Sequence, residues 1–160
     1  MESKKKTVYI HFGSDKIDDF RPVQNRRDLG LNKPINGLWA SRYTPDKKYR
    51  SVWEKWCVTE KYGSVDFSSY FLFTLKQNAK VLRIGSEKGY IKISDRFKDS
   101  YGCSLDWEKI QAEYDAFELM KGHNYWSGLE MDSAAYTLCS WDVPSIVVFR
   151  LSAIDVIKEE

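Results

Sequence analysis

The chain has 160 residues, and its 25 basic and 23 acidic side chains leave a formal charge of +2. This balance excludes the strongly basic composition that marks many nucleic-acid-binding proteins. A hydrophobic content of 42%, with six Trp, ten Tyr and eight Phe, excludes a disordered chain. We therefore expect one folded domain over residues 1–160, in which residues 1–6, with their three successive lysines, form a flexible tail.

The three cysteines, Cys57, Cys103 and Cys139, have the spacing of neither a zinc site nor a disulfide framework. An odd number of cysteines favours a reducing compartment. The sequence starts with no signal-peptide pattern and contains no apolar run long enough to span a membrane. We expect a soluble cytoplasmic protein with no metal ion and no membrane partner.

The first half of the chain predicts two strands, a long loop and one helix. Residues 7–12 are rich in Val, Tyr, Ile and Phe, which favours a strand. Residues 14–36 are polar and contain two prolines, so we predict a long loop with one short helical turn. A short strand follows at 37–41. Residues 50–60 place apolar side chains on one helical face, with Ser51 as the N-cap.

The second half of the chain alternates between strand and helix patterns. Strands are predicted at 69–76, 80–84, 116–119 and, as the final element, 145–149. Residues 107–115 predict a helix capped by Asp106, and residues 133–139 predict a helical turn. Residues 122–126 are predicted to be a loop, and residues 87–97 give no clear pattern. Strands at both ends with helices between them predict an α+β fold.

A histidine and a glycine directly follow the first predicted strand, in the order His11-Phe12-Gly13-Ser14. A histidine at a strand end can present its imidazole to a sugar hydroxyl. Glycine allows the backbone to approach a planar ligand closely. The segment therefore predicts a ligand site, and an ordinary exit from a strand into a loop is the alternative.

Aromatic residues dominate the next two segments. Residues 37–41 read Gly-Leu-Trp-Ala-Ser, and the predicted helix that follows carries Trp53 and Trp56. An electron-poor ring between two indoles gains cation–π energy, on the order of 1 kcal/mol for each desolvated contact. The alternative is that Trp53 and Trp56 form a core stripe at helical spacing.

These segments resemble, in their order along the chain, the motifs of the ADP-ribosyltransferase superfamily. Residues 11–14 resemble its His-Gly-Ser motif, with Phe12 inserted, and residues 37–41 resemble the Gly-Ile-Tyr-Phe-Ala segment of the poly-ADP-ribose polymerase branch. Residues 114–119 and 145–154 resemble the last two motif strands of small bacterial and phage members. The resemblance covers roughly residues 7–157.

The resemblance implies a split β-sheet whose cleft binds NAD as a co-substrate. His11 would hold the ribose, Gly13, Ser14 and Ser41 would line the cofactor site, and Trp39 and Trp56 would frame the nicotinamide. The position of the family's catalytic Glu falls on Ser145, which has no carboxylate. Asp142 is the nearest substitute and is predicted, with His11, to be catalytic. Glu130 and Asp132 are further candidates, and Asp142 could also serve only as a turn residue before Pro144.

The implied activity is mono-ADP-ribosyl transfer from NAD to a macromolecule. Small members of the superfamily are often toxins, defence effectors or phage modifiers of the host, and such a protein would pair with an antitoxin or inhibitor. The acceptor is a protein, RNA or DNA; several cations flank the motifs and keep nucleic acid open, namely Arg26, Arg27, Lys47, Lys48 and Arg50. The alternative is a module of the same fold that binds NAD, ADP-ribose or nucleic acid without turnover.

Overall fold

A computed structural model describes residues 4–26, 31–102 and 104–157. Arg27 and Cys103, which figure in the sequence predictions, lie outside these ranges, as do residues 1–3 of the predicted tail. Residues 4–6 belong to no strand or helix and are exposed. Among the residues described, none of the helices combines the length and the apolar character that a bilayer crossing needs.

The fold is α+β, and the described residues form one curled mixed sheet of seven strands, a half-barrel. The strands are β1 Val8–Phe12, β2 Leu38–Arg42, β3 Tyr70–Leu75, β4 Val81–Ile84, β5 Ala116–Leu119, β6 Ser145–Val148 and β7 Ile154–Ile157. Their order across the sheet is β4-β5-β6-β2-β1-β3-β7. Only β4 and β5 run parallel, and the other neighbours in this sheet are antiparallel.

Short helices connect and cover these strands. They are α1 Val52–Thr59, α2 Glu87–Phe97, α3 Trp107–Glu113, α4 His123–Trp126 and the 3₁₀ helices Ala134–Ser140 and Leu151–Ala153. Side-chain oxygens cap four of these helices by accepting hydrogen bonds from backbone amides in the first turn; the caps are Ser51, Ser86, Asp106 and Ser133. Each cap satisfies a backbone donor that the helix itself leaves without a partner.

The predicted strands and the helices at 50–60 and 107–115 are confirmed, with ends shifted by a few residues. Four details differ from the sequence predictions. Residues 87–97 are helical, residues 122–126 include the short helix α4, and the strand at 145–149 is followed by a further strand, β7. The described parts of the loop at 14–36 contain no helical turn, and a single bridge between Gln24 and Ile35 links them.

The two faces of the sheet carry separate apolar clusters. On β6, Ile146 and Val148 face a cluster that includes Tyr9 and Phe73, whereas Val147 faces a larger cluster beneath α2 and α3. This division follows from the alternation of side chains along a strand. Because β5 and β6 are buried on both faces, both strands contribute side chains to the two clusters.

The strand β2 changes its main partner halfway along its length. Its first three residues pair with β6, through Leu38↔Val148, Trp39↔Val147 and Ala40↔Ile146. Its last two residues, Ser41 and Arg42, pair with β1. Beyond Ile10↔Ser41 the pairing of β1 with β2 ends, so the sheet opens between His11 and Trp39.

Candidate functional site

A cavity of about 320 Å³ lies where the sheet opens. This volume is in the range of small-molecule sites, which are usually apolar clefts with a few polar groups. Five parts of the chain line it: β1, the loop before β2, β2 itself, α1 with the loop that follows it, and the segment that leads into β6. The lining residues are Ile10, His11, Phe12, Lys33, Trp39, Ala40, Ser41, Trp53, Val65, Trp141, Asp142, Val143 and Ser145.

His11 bridges the opening between β1 and β2. Its Nδ1 lies 2.7 Å from the carbonyl oxygen of Trp39. A carbonyl only accepts hydrogen bonds, so Nδ1 carries the proton, and Nε2 is the acceptor nitrogen of the neutral ring. Burial lowers the pKa of His11 below its usual 6.5, and the bond to Trp39 offsets only part of that shift. The ring is therefore neutral at physiological pH, with one nitrogen able to accept a bond from a ligand.

Three indoles form the aromatic wall of the cavity. Trp39 donates its Nε1 proton to the carbonyl of Asn36 at 2.8 Å, and its ring lies 4.9 Å from that of Trp141. The buried Trp141 in turn donates to the carbonyl of Asn32 at 2.7 Å. These bonds fix both rings, and the buried Trp141 supports Trp39, whose partly exposed ring borders the cavity.

The third indole, Trp53, projects from α1. It stacks on Trp56 with a centroid distance of 5.2 Å and an interplanar angle of 10°. The start of α1 is held against the sheet by Arg50, whose guanidinium lies 4.8 Å from the ring centre of Phe12 and pairs with Glu54 at 2.8 Å. Trp53 therefore reaches the cavity, with Trp56 behind it as a support.

The polar groups of the cavity include one ion pair and two serines. Lys33 Nζ lies 3.9 Å from Asp142 Oδ2. Burial lowers the pKa of Lys33, while the charge of Asp142 acts in the opposite direction. Ser41 comes from β2 and Ser145 from the start of β6, where its hydroxyl donates to the carbonyl of Val143 at 3.0 Å.

Four of the residues predicted from the sequence meet in this cavity: His11, Trp39, Ser41 and Asp142. Three others do not line it. Gly13 donates its amide proton to the carbonyl of Ser69 at 2.8 Å, so that amide already has a partner. Trp56 lies behind Trp53. Ser14 borders a second cavity of about 200 Å³, which shares His11 with the first.

Sequence reasoning missed Lys33 and Trp141, and it chose Trp56 over Trp53 as the second aromatic of the site. Trp141 directly precedes Asp142, and Trp53 shares a helical face with Trp56, so both had a signal in the sequence. Lys33 had none, because its position depends on a contact of Asn32 with distant parts of the chain.

The other carboxylates considered from the sequence lie elsewhere. Glu130 and Asp132 are exposed and do not line the cavity. Glu118 is buried, but it pairs with Arg42 at 2.7 Å and with Arg83 at 2.8 Å, on the face of the sheet that carries Tyr9. Asp142 is thus the carboxylate that the described residues bring to the cavity.

The thiol of Cys57 on α1 is not suited to nucleophilic chemistry. Cys57 is buried, and burial together with the charge of Asp142 raises its pKa to about 11. A thiol in that state is a poor nucleophile. Within residues 4–26, 31–102 and 104–157 there is no group of three His, Cys, Asp or Glu side chains arranged to hold a metal ion.

No protein-family model, no curated protein and no solved structure matches this chain. The function is therefore argued from the contents of the cavity and from the order of the motifs that line it.

Proposed function

We propose that the cavity binds the nicotinamide end of NAD and that the protein transfers ADP-ribose from NAD to a macromolecule. In this proposal the opening between β1 and β2 is the cleft of an ADP-ribosyltransferase-like split sheet. One observation carries it: His11, the pair Trp39 and Ser41, and Asp142 come from three separate segments of the chain and line one cavity.

The aromatic wall supports the choice of a nicotinamide ring. In NAD this ring is flat and positively charged, and the faces of Trp39 and Trp53 are electron-rich. Cation–π contacts of this kind contribute about 1 kcal/mol each, and more where water is excluded. Ser41 and Ser145 supply hydroxyl groups for the carboxamide on the ring.

The polar groups support a role for the cavity in breaking the bond between nicotinamide and ribose. His11 offers Nε2 as an acceptor for a ribose hydroxyl. Asp142 places negative charge where positive charge develops on the ribose, which is a large contribution to catalysis in a site that excludes water. As the bond breaks, its electron pair leaves with the now neutral nicotinamide. The ribose carbon gains a bond to the acceptor, whose proton passes to Asp142.

The acceptor is a protein side chain or a base of RNA or DNA. The class of protein that we infer is a toxin, defence effector or phage modifier of the host, with an antitoxin or inhibitor as its partner. These finer proposals depend on the motif order alone.

The second candidate function is binding of NAD or ADP-ribose without turnover. Two observations favour it: Ser145 stands where the family has its Glu, and Lys33 lies 3.9 Å from the substitute Asp142. A neighbouring cation reduces the field that Asp142 exerts on the ribose.

Release of nicotinamide from NAD distinguishes the two functions. We expect the wild-type protein to release nicotinamide and Asp142→Asn to be slower by about 10²-fold or more, the usual loss when one charge-stabilising group is removed. Glu130→Gln is the matched control, because Glu130 is exposed and outside the cavity; it should keep the wild-type rate. The acceptor is then found by mass spectrometry of cellular protein and nucleic acid.

Binding of NAD with no release of nicotinamide would support the second function. Release of nicotinamide at the wild-type rate in Asp142→Asn would show that a group other than Asp142 stabilises the charge on the ribose. Absence of any NAD binding would reject both functions.

A further inference from the structure

Lys33 is placed in the cavity by its neighbour, the fully buried Asn32. The side-chain amide of Asn32 donates to Tyr90 Oη at 2.8 Å, and its side-chain oxygen accepts from the amide of Leu105 at 3.0 Å. Its carbonyl accepts from Trp141 at 2.7 Å. Buried polar groups with several partners fix the local backbone, because each lost bond exposes an unsatisfied group. The position of Lys33 is therefore set by the core and not by loop motion.

The ion pair between Lys33 and Asp142 is loose. The 3.9 Å between Lys33 Nζ and Asp142 Oδ2 exceeds the donor–acceptor distance of about 2.7–2.9 Å that is typical of N⁺–H···O⁻ hydrogen bonds. The Lys33 side chain is only 23% exposed, so its charge is partly desolvated. Burial is the largest cause of its lowered pKa, and the charge of Arg26 lowers it further. A partly desolvated ammonium without a directed bond to its counterion is well placed to bind a stronger anion.

A phosphate group is such an anion. It carries more charge than a carboxylate and offers three acceptor oxygens to the three protons of an ammonium. In a nicotinamide nucleotide the phosphate lies one ribose away from the ring, and Lys33 lies in the same cavity as the indoles that would hold that ring. Taking up the phosphate would also free Asp142 from its neighbouring cation.

We propose that Lys33 is a specificity-determining residue that binds a ligand phosphate and makes the cavity select phosphorylated nicotinamide compounds. This inference rests on the nicotinamide site proposed above. In this proposal Lys33 pairs with Asp142 before the ligand binds and with the ligand phosphate afterwards.

Two ligands that differ by one phosphate test the inference. Calorimetry measures the affinity for nicotinamide mononucleotide and for nicotinamide riboside, using the wild-type protein, Lys33→Met, Lys33→Arg and the control Lys92→Met. Lys92 is an exposed residue of α2. We expect Lys33→Met to lower the affinity for the mononucleotide by about tenfold or more. The affinity for the riboside should change by no more than about twofold. Lys33→Arg should restore most of the loss, and Lys92→Met should match the wild type.

Equal weakening of both ligands in Lys33→Met would assign Lys33 a structural role only, and unchanged affinity for the mononucleotide would also overturn the inference. Inorganic phosphate separates this failure from that of the proposed function. Wild-type protein that binds inorganic phosphate through Lys33 but does not bind the riboside would keep the phosphate role and reject the nicotinamide site. Wild-type protein that binds none of the three would reject both.

Discussion

At the scale of single residues, His11 has two separate duties. Its Nδ1 proton bonds to Trp39 at the point where backbone pairing of β1 with β2 has ended. This side-chain hydrogen bond takes the place of a backbone hydrogen bond between β1 and β2, so the imidazole sets the distance between the two strands at the opening. The other nitrogen, Nε2, is left as an acceptor. The same ring is thus part of the sheet and part of the cavity lining.

The burial of His11 predicts a pH dependence of stability. Its pKa in the folded protein lies below the usual 6.5, so as the pH falls the unfolded chain binds a proton first. The free energy of unfolding should therefore decrease as the pH falls below about 6.5, until the lower pKa of the folded protein is passed, and should be independent of His11 titration well above 6.5. His11→Asn, which keeps a donor near Nδ1, should flatten this slope in urea titrations. Parallel curves for the two proteins would contradict the argument.

At the scale of elements, α1 carries two stacked indoles, and the one that lines the cavity differs from the prediction: the sequence favoured Trp56, whereas Trp53 lies at the cavity. Both side chains lie on one helical face, so spacing alone could not rank them. The difference arises from the way Arg50 and Glu54 set the helix against β1.

Leucine substitutions on α1 test this order. Trp53→Leu removes a face that we propose to contact the nicotinamide ring, and it should weaken the binding of nicotinamide riboside by about tenfold, in line with the roughly 1–3 kcal/mol that stacking on an aromatic contributes. Trp56→Leu removes only the ring that stacks on Trp53, and it should weaken the binding of nicotinamide riboside by about threefold or less. Calorimetry gives both affinities, and circular dichroism checks that α1 is intact. A larger loss in Trp56→Leu would reverse the assignment.

The elements that sequence reasoning missed have identifiable causes. The helix α2 has apolar residues at Ile91 and Ile93, a strand-like spacing, and Gly89 in its first turn. Its helical form depends on the burial of Tyr90 and Phe97 under the sheet. The edge strand β7 reads Ile-Asp-Val-Ile but exposes three of its four side chains, so burial does not mark it as a strand; its backbone pairing with β3 defines it.

The candidate site was partly predictable for a related reason. His11, Trp39, Ser41 and Asp142 lie in or beside strands with clear apolar patterns, and the order of those strands suggested a shared cleft. Lys33 lies in a loop, and contacts with residues more than 50 positions away in the sequence decide where it points. No local pattern carries that information.

At the scale of the whole molecule, a buried carboxylate ties the two halves of the curled sheet together. Glu118 on β5 is 3% exposed and pairs with Arg83 of the adjacent β4. Across the sheet it also pairs with Arg42 of β2 and accepts a bond from Tyr9 of β1 at 3.0 Å. Four strands therefore depend on one side chain.

Removal of the charge on Glu118 should lower the stability of the whole protein. Glu118→Gln leaves two arginines without their counterion, and we expect the free energy of unfolding in urea to fall by about 2–4 kcal/mol. Glu113→Gln breaks the exposed pair with Arg96 and should cost less than about 1 kcal/mol. Equal losses in the two variants would refute the special role of Glu118.

Glu118 also makes the free energy of unfolding depend on pH in the acid range. Burial alone would raise the pKa of Glu118, but the hydrogen bonds from Arg42 and Arg83 outweigh it and hold the pKa below the usual 4.5. The stabilisation is present above that value and is lost as the pH falls through the lower pKa of the folded protein. This decline begins near pH 4.5, whereas the decline from His11 begins near pH 6.5, so the two contributions start at different pH values.

The change of partner along β2 has a consequence for how the protein can diversify. Trp39 and Ser41 belong to a strand that also holds the sheet together, so exchanging them alters folding along with ligand contacts. Lys33 and Val65 lie outside the strands and helices and border the same cavity. Descendants or designed variants with new ligand preferences should therefore differ first at the loop positions, while the strand positions stay constant.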